Sequence, residues 1–156
     1  MDYLYVSIRP ATREDLPSIL EIENLCFVHP WSEKDIIYEM ESNPVSNFWV
    51  LELEKKEENL KSVVGFCDYW KTFDSGTIAQ IAVHPTLQHR QFGSAMMDEI
   101  YNDCLAQKVR TLTLEVRESN TKAINFYLKH GFKKEVIKPH YYTNGENAIY
   151  MILEIK

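Results

Sequence analysis

Residues 84–97 read HPTLQHRQFGSAMM, bringing a proline, three basic side chains and one glycine up to the start of an apolar-striped helix. The chain as a whole carries formal net charge -6, so positive charge gathered here calls for a partner. Such a segment can hold an anion. First-turn N–H groups of a helix have no partner within it, and the helix dipole adds partial positive charge at that end. A strand, a polar loop and a helix N-terminus together therefore suit a phosphate. His89 and Arg90 supplement the amides, Arg being permanently charged and able to grip two oxygens. No GxGxxG or GxxxxGK[ST] occurs, which disfavours dinucleotide and P-loop nucleotide binding. Taken alone, the segment fits an ordinary crossover with a water-facing loop equally well.

The other reactive side chains exclude more than they propose. Cys26, Cys67 and Cys104 form no CxxC pair and read as small buried apolar residues. His29, His84, His89, His130 and His140 show no metal-ligand spacing, so no metal is expected. Lys+Arg 17 against Asp+Glu 23 argues against direct nucleic-acid binding. The start, MDYLYVSIRP, lacks the basic and apolar regions of a signal peptide. No apolar run approaches the ~20 residues that cross a bilayer. The expectation is a cytoplasmic protein without a membrane partner, and 156 residues suit one domain spanning 1–156.

Hydrophobic periodicity supplies the elements that must position the loop. YLYVSIRP is a strand ended by Pro10, and Thr12-Arg-Glu-Asp15 opens a helix. Its apolar spacing runs Leu16, Ile19/Leu20, Ile22/Glu23, Cys26/Phe27 along one face. Ser32 caps a second helix reaching about residue 40. FWVLELE and SVVGFCDYW are strands around the charged run 54–61, read as a solvated turn. GTIAQIAV is apolar on both faces, as a central strand is. The helix 92–105 places Phe92, Met96, Ile100 and Cys104 on its core face. RTLTLEVRE puts Leu112, Leu114 and Val116 on one side and Thr111, Thr113 and Glu115 on the other. SNTKAINFYLKHGF is a helix with Gly131 as C-cap. The tail is two strands joined around Asn144-Gly145, with Pro139 interrupting the first. The order β-α-α-β-β-β-α-β-α-β-β describes a mixed α/β (α+β) sheet.

With IAVHPTLQHRQFGSAM followed by LTLEVRESNTKAINFYLKHGF, the chain resembles the GNAT superfamily of acetyl-CoA-dependent N-acetyltransferases. HPWSEKDI, LEVRESN, NFYLKHGF and HYYTNGENAIYM look like the bacterial ribosomal-protein-alanine N-acetyltransferases within it. The resemblance implies a single GNAT domain with a mostly antiparallel central sheet flanked by helices. It implies acetyl-CoA as cosubstrate. Ile81, Ala82 and Val83 would pair through their backbone with the pantetheine arm. His89, Arg90, Gln91, Phe92, Gly93 and Ser94 would wrap the pyrophosphate, and Asn120 would also touch the cofactor. Glu115 would accept the proton and Tyr127 would donate one. The chain departs from the family loop at Gln91, where a glycine is usual. A positive φ at a non-glycine residue costs ~1 kcal/mol or somewhat more.

The chemistry implied is direct acyl transfer from a thioester to an amine, with no acyl-cysteine because no cysteine has a visible activating partner. On its own, Glu115 also fits a surface strand glutamate paired with Arg117, and Tyr127 a core aromatic. The resemblance places the HPWSE and HYYTNG loops beside the acceptor, so Trp31, Tyr141 and Tyr142 are the expected contacts. The leading acceptor is the N-terminal alanine of a ribosomal protein. A lysine or a polyamine is the second possibility, and a non-catalytic acyl-CoA-binding module the third. Oligomeric state is not legible.

Overall fold

The computed structural model describes residues 3–55 and 59–156. Strand β1, Tyr3–Pro10, is followed by a 3-10 turn, Arg13–Asp15, and by helix α1, Leu16–Cys26. The Asp15 carboxylate accepts from the Thr12 amide at 2.8 Å and from Arg9 at 2.8 and 2.9 Å. The same guanidinium reaches Glu52 at 2.9 Å, tying the start of the helix to the neighbouring strands. Helix α2, Glu33–Glu41, is opened by Ser32, whose Oγ accepts from the Asp35 amide at 3.1 Å. Asp35 reaches back to the Ser32 amide, completing the capping box.

Strands β2, Ser46–Lys55, and β3, Leu60–Thr72, run antiparallel. Residues 56–58 of the charged run lie outside the described residues. Then come β4, Ser75–Val83, α3, Phe92–Ala106, β5, Thr111–Arg117, α4, Thr121–Lys129, β6, Lys133–Lys138, and β7, Ala148–Glu154. The strands hydrogen-bond in the order β1-β2-β3-β4-β5-β7-β6. The β1/β2, β2/β3, β5/β7 and β6/β7 pairs are antiparallel, while β4/β5 is parallel from Ser75↔Thr111 to Thr77↔Thr113. This is the mixed, mostly antiparallel sheet that the element order and the resemblance led us to expect.

The chain divides into two compact units, Met1–Trp70 with Ala79–Ile100, and Lys71–Ile78 with Tyr101–Lys156. The first buries Leu16, Ile19 and Ile22 of α1 and Ile36 of α2 against Phe48, Val50, Phe66 and Ala82 of the strands. Phe48 and Phe66 stack with ring centroids 5.6 Å apart. A Cβ at Gly65 would meet the Ala82 carbonyl at 3.0 Å and Met96 Cε at 3.1 Å, so this close approach requires glycine.

In the second unit the β5 alternation appears as read, with Leu112, Leu114 and Val116 buried and the intervening residues half-buried. Ile124 and Tyr127 of α4 are buried, and Tyr127 packs on Phe132 at 5.5 Å. Two turn expectations need adjusting. His130 is the C-cap of α4 and Gly131, at φ +93, follows it, because the left-handed residue stands one beyond the cap. The last hairpin is not closed by a tight Asn-Gly turn. β6 stops at Lys138, since Pro139 has no N–H to donate, and residues 139–147 form the connection. Gly145, at φ +87, donates to the Tyr142 carbonyl at 2.8 Å inside it. No helix among the described residues is long and apolar enough to cross a membrane.

Candidate active site

In the first unit, β4 delivers the chain into the basic loop. The His84 ring accepts from the Thr86 amide at 3.3 Å and meets Glu21 at 3.0 Å, fixing the turn. The Val83 carbonyl accepts from the Cys26 thiol and from the Gln88 side-chain amide, each at 3.2 Å. His89 and Gln91 both have φ 67, in the left-handed region. The Gln91 carbonyl then accepts from Ala95 N–H at 3.0 Å, which starts the helical pairing of α3. First-turn amides behind such a start lie at the open, positive end of a helix. Left-handed residues among right-handed or extended ones turn successive N–H groups inward, a concavity that suits anions. His89 and Arg90 are exposed beside it. The residues present therefore fit a diphosphate.

Cys26 is half-buried, not buried as its type suggested, because its thiol is turned onto the strand end as a donor. Cys67 and Cys104 are buried. Burial pushes the Cys104 thiol up to about 11 and that of Cys67 higher still, which removes both as nucleophiles near neutral pH.

The same unit holds a carboxylate that sequence reasoning did not single out. Glu23 is 0% exposed, and its Oε2 accepts from the Trp31 amide at 3.1 Å and from Gln80 Nε2 at 3.0 Å. Burial drives its pKa up, opposed by those two bonds. Trp31, an expected acceptor contact, is thus anchored through its backbone to α1 and β4. The signal was present in the sequence: an acidic residue sat within the apolar stripe of α1, where a charge without a partner is costly.

In the second unit, Glu115 pairs with Lys138 at 3.0 Å, correcting the alternative in which Arg117 was its partner. Arg117 instead lies over the Tyr142 ring at 3.9 Å and pairs with Glu146 at 3.6 Å. Glu146 also accepts from the Ser119 hydroxyl, and the Glu118 amide donates to the Asn147 carbonyl at 3.0 Å. The end of β5 and the β6–β7 connection are therefore held together. Hydrogen bonding toward Glu115, then burial, pushes the Tyr141 phenol up to about 12, so it stays neutral. Among the described residues no group of His, Cys, Asp and Glu is arranged to hold a metal ion.

Residues 16–132 match the acetyltransferase (GNAT) family. The chain is 33% identical over 144 residues to the ribosomal protein bS18-alanine N-acetyltransferase of Escherichia coli K12, covering 90% of this chain and 92% of that protein. The chain belongs to the GNAT acetyltransferase family. The crystal structure of the ribosomal-protein-S18-alanine N-acetyltransferase from Escherichia coli superposes with a TM-score of 0.82 at 30% identity, covering 97% of this chain and 95% of that one. Ard1 from Thermoplasma volcanium gives a TM-score of 0.86 at 28% identity, covering 98% and 99%. As a GNAT protein the chain is an acyltransferase.

Within this GNAT chain the expected site residues fall into two groups. The first unit carries Trp31, Ile81, Ala82, Val83 and the loop residues from His89 to Ser94. The second carries Glu115, Asn120, Tyr127, Tyr141 and Tyr142. Asn120 is engaged as the N-cap of α4, its Oδ1 accepting from the Ala123 amide at 3.1 Å. Tyr127 is 7% exposed, while Tyr141 is 51% exposed and open to a partner. Lys138 was not foreseen. Its partnership with Glu115 depends on strand register, which composition and spacing leave open.

Proposed function

We propose that this GNAT chain transfers the acetyl group of acetyl-CoA to the α-amino group of a protein N-terminus, the leading candidate being the N-terminal alanine of a ribosomal protein. The observation that carries the reading is the 33% identity across 90% of the chain to an alanine N-acetyltransferase acting on ribosomal protein bS18. The chain acts as one domain over residues 1–156, in the cytoplasm where such acceptors are made.

The loop from His89 through Ser94 holds the diphosphate with main-chain amides, the His89 ring and the Arg90 guanidinium. The backbone of Ile81, Ala82 and Val83 lies along the pantetheine arm, using groups other than the Val83 carbonyl, which is already engaged. Asn120 contacts the cosubstrate from the start of α4. Trp31, Tyr141 and Tyr142 contact the acceptor.

Acyl transfer then proceeds without a covalent enzyme intermediate. The amine nitrogen forms a bond to the thioester carbon as the carbon–sulfur bond breaks. Glu115 takes one proton from nitrogen, and Tyr127 gives one to the departing sulfur, leaving an N-acetyl amide and the free thiol. An α-amine of pKa ~7.7–8.0 is partly neutral near pH 7, so modest base assistance is enough. A phenol near ~10 and a thiol near ~8.5 lie close enough for proton transfer at little cost. Backbone N–H at the Val83 end of β4 holds the developing oxyanion.

A panel of acceptors tests this: peptides starting with alanine, N-blocked peptides with one internal lysine, and spermidine. The expected result is acetylation of the alanine peptide with kcat/KM at least roughly tenfold above the others, a ratio within the reach of pocket discrimination. Preference for lysine or spermidine moves the acceptor assignment. Acetyl-CoA binding without any transfer, insensitive to Glu115→Gln and Tyr127→Phe, would instead show a non-catalytic module.

A further inference from the structure

Lys138 is the last residue of β6 and its only half-buried one. Its Nζ lies 3.0 Å from Glu115 Oε1, 5.0 Å from the Tyr150 ring centroid and 5.4 Å from that of Tyr141. The ammonium is therefore fixed by one carboxylate and two aromatic faces. The side chains of Lys138 and Glu115 are 39% and 27% exposed, so a small amine can reach them. Glu115 Oε2 is buried and the Tyr141 phenol hydrogen-bonds toward the same carboxylate, so an incoming amine meets the exposed part of the Glu115 side chain, where Lys138 also sits.

We infer that Lys138 makes the site selective for acceptors that arrive as neutral amines, rejecting those that arrive as cations. The inference rests on the proposed role of Glu115 as proton acceptor. The charges around that carboxylate are already balanced. Lys138 answers Glu115, Arg117 answers Glu146, and Tyr141 and Tyr142 stay neutral because their phenols are pushed up. An ammonium bound at Glu115 would share its carboxylate with Lys138 and leave the site with excess positive charge. A like charge at such range disfavours the charged form of the newcomer. An α-amine, pKa ~7.7–8.0, gives up its proton readily, whereas a lysine or polyamine nitrogen near ~10.4 keeps it. The same lysine thus favours the reactive form of one acceptor class and turns the other away.

The test compares wild type, Lys138→Met and Lys138→Arg on an alanine-starting peptide, an N-blocked lysine peptide and spermidine. Methionine keeps an apolar stem against the two rings and loses the charge; arginine keeps the charge. The ratio of kcat/KM for the alanine peptide over spermidine is expected to fall at least roughly tenfold in Lys138→Met, the size of a one-unit bias in amine protonation, and to recover in Lys138→Arg. A ratio unchanged in Lys138→Met overturns the inference, as does an equal loss on all three acceptors, which marks a structural role. Failure of the underlying reading looks different: wild type transfers nothing to the alanine peptide, or Glu115→Gln retains full turnover.

Discussion

Gln91 is the residue at which this chain parts from the glycine usual in its loop, and its φ of 67 shows that the backbone requirement remains while the residue that meets it easily has gone. His89 shares the same φ, so two L-residues bear left-handed conformations within one turn. Each costs ~1 kcal/mol or somewhat more relative to glycine. Gln91→Gly is accordingly expected to tighten acetyl-CoA binding a few-fold by calorimetry. Unchanged or weaker binding would mean that the glutamine amide contacts the diphosphate and outweighs the strain. Glu23 and Lys138 belong to this scale too. Neither follows a catalytic motif, and each is defined by what it touches, the Trp31 amide in one case and Glu115 in the other.

At the scale of elements, the crossover from β4 to α3 has to be held firmly if its loop is to grip an anion. Gly65 on β3 permits that. It stands opposite Leu51 beside the register shift between Leu51 and Glu52, against the Ala82 carbonyl and Met96. Gly65→Ala puts a methyl group 3.0 Å from backbone oxygen, which cannot swing aside as a flexible side chain can. The expected loss is about 1–3 kcal/mol, the range for overpacking a filled core, read as a lower urea midpoint at unchanged slope. A variant as stable as wild type would mean that β3 shifts at little cost. A second register device acts in the other unit. The irregularity between Lys134 and Val136 changes which β6 residues share a face with β7, and so where Lys138 is presented.

At the scale of the whole molecule, stability should depend on pH through one buried acidic pair. Glu39 and Asp68 are 8% and 0% exposed. Ser46 donates to Asp68 at 2.6 Å, and Trp70 Nε1 and Asn43 donate to Glu39 at 2.6 and 2.9 Å. Burial, reinforced by Glu39, pushes Asp68 up to about 9. Burial also presses Glu39 upward, but hydrogen bonds from Asp68, Asn43 and Trp70 outweigh it and hold Glu39 low. The folded pair therefore keeps one proton that the unfolded chain, with ordinary values of 3.8 and 4.5, has already released. Stability from that proton is complete below the unfolded values and is lost as pH rises toward 9, by at most ~1.4 kcal/mol per unit. Urea unfolding between about pH 6 and about pH 9 should show the advantage of wild type over Asp68→Asn shrinking steadily; parallel curves would refute the shared proton. The sequence by itself determined the order of elements, the polar, basic loop ahead of α3, the in-and-out faces of β5 and the cap at Ser32, since each is written in local spacing and local backbone preference. It even displayed Glu23 within an apolar stripe. Only the tertiary structure decided that Glu23 meets Gln80, that Glu39 meets Asp68, and that Glu115 meets Lys138 instead of Arg117. Those partners lie far apart along the chain. Glu23 and Glu39 come from helices packed on the sheet, while strand register places Gln80, Asp68, Glu115 and Lys138, and a shift of one residue in register would turn each of those four to the opposite face.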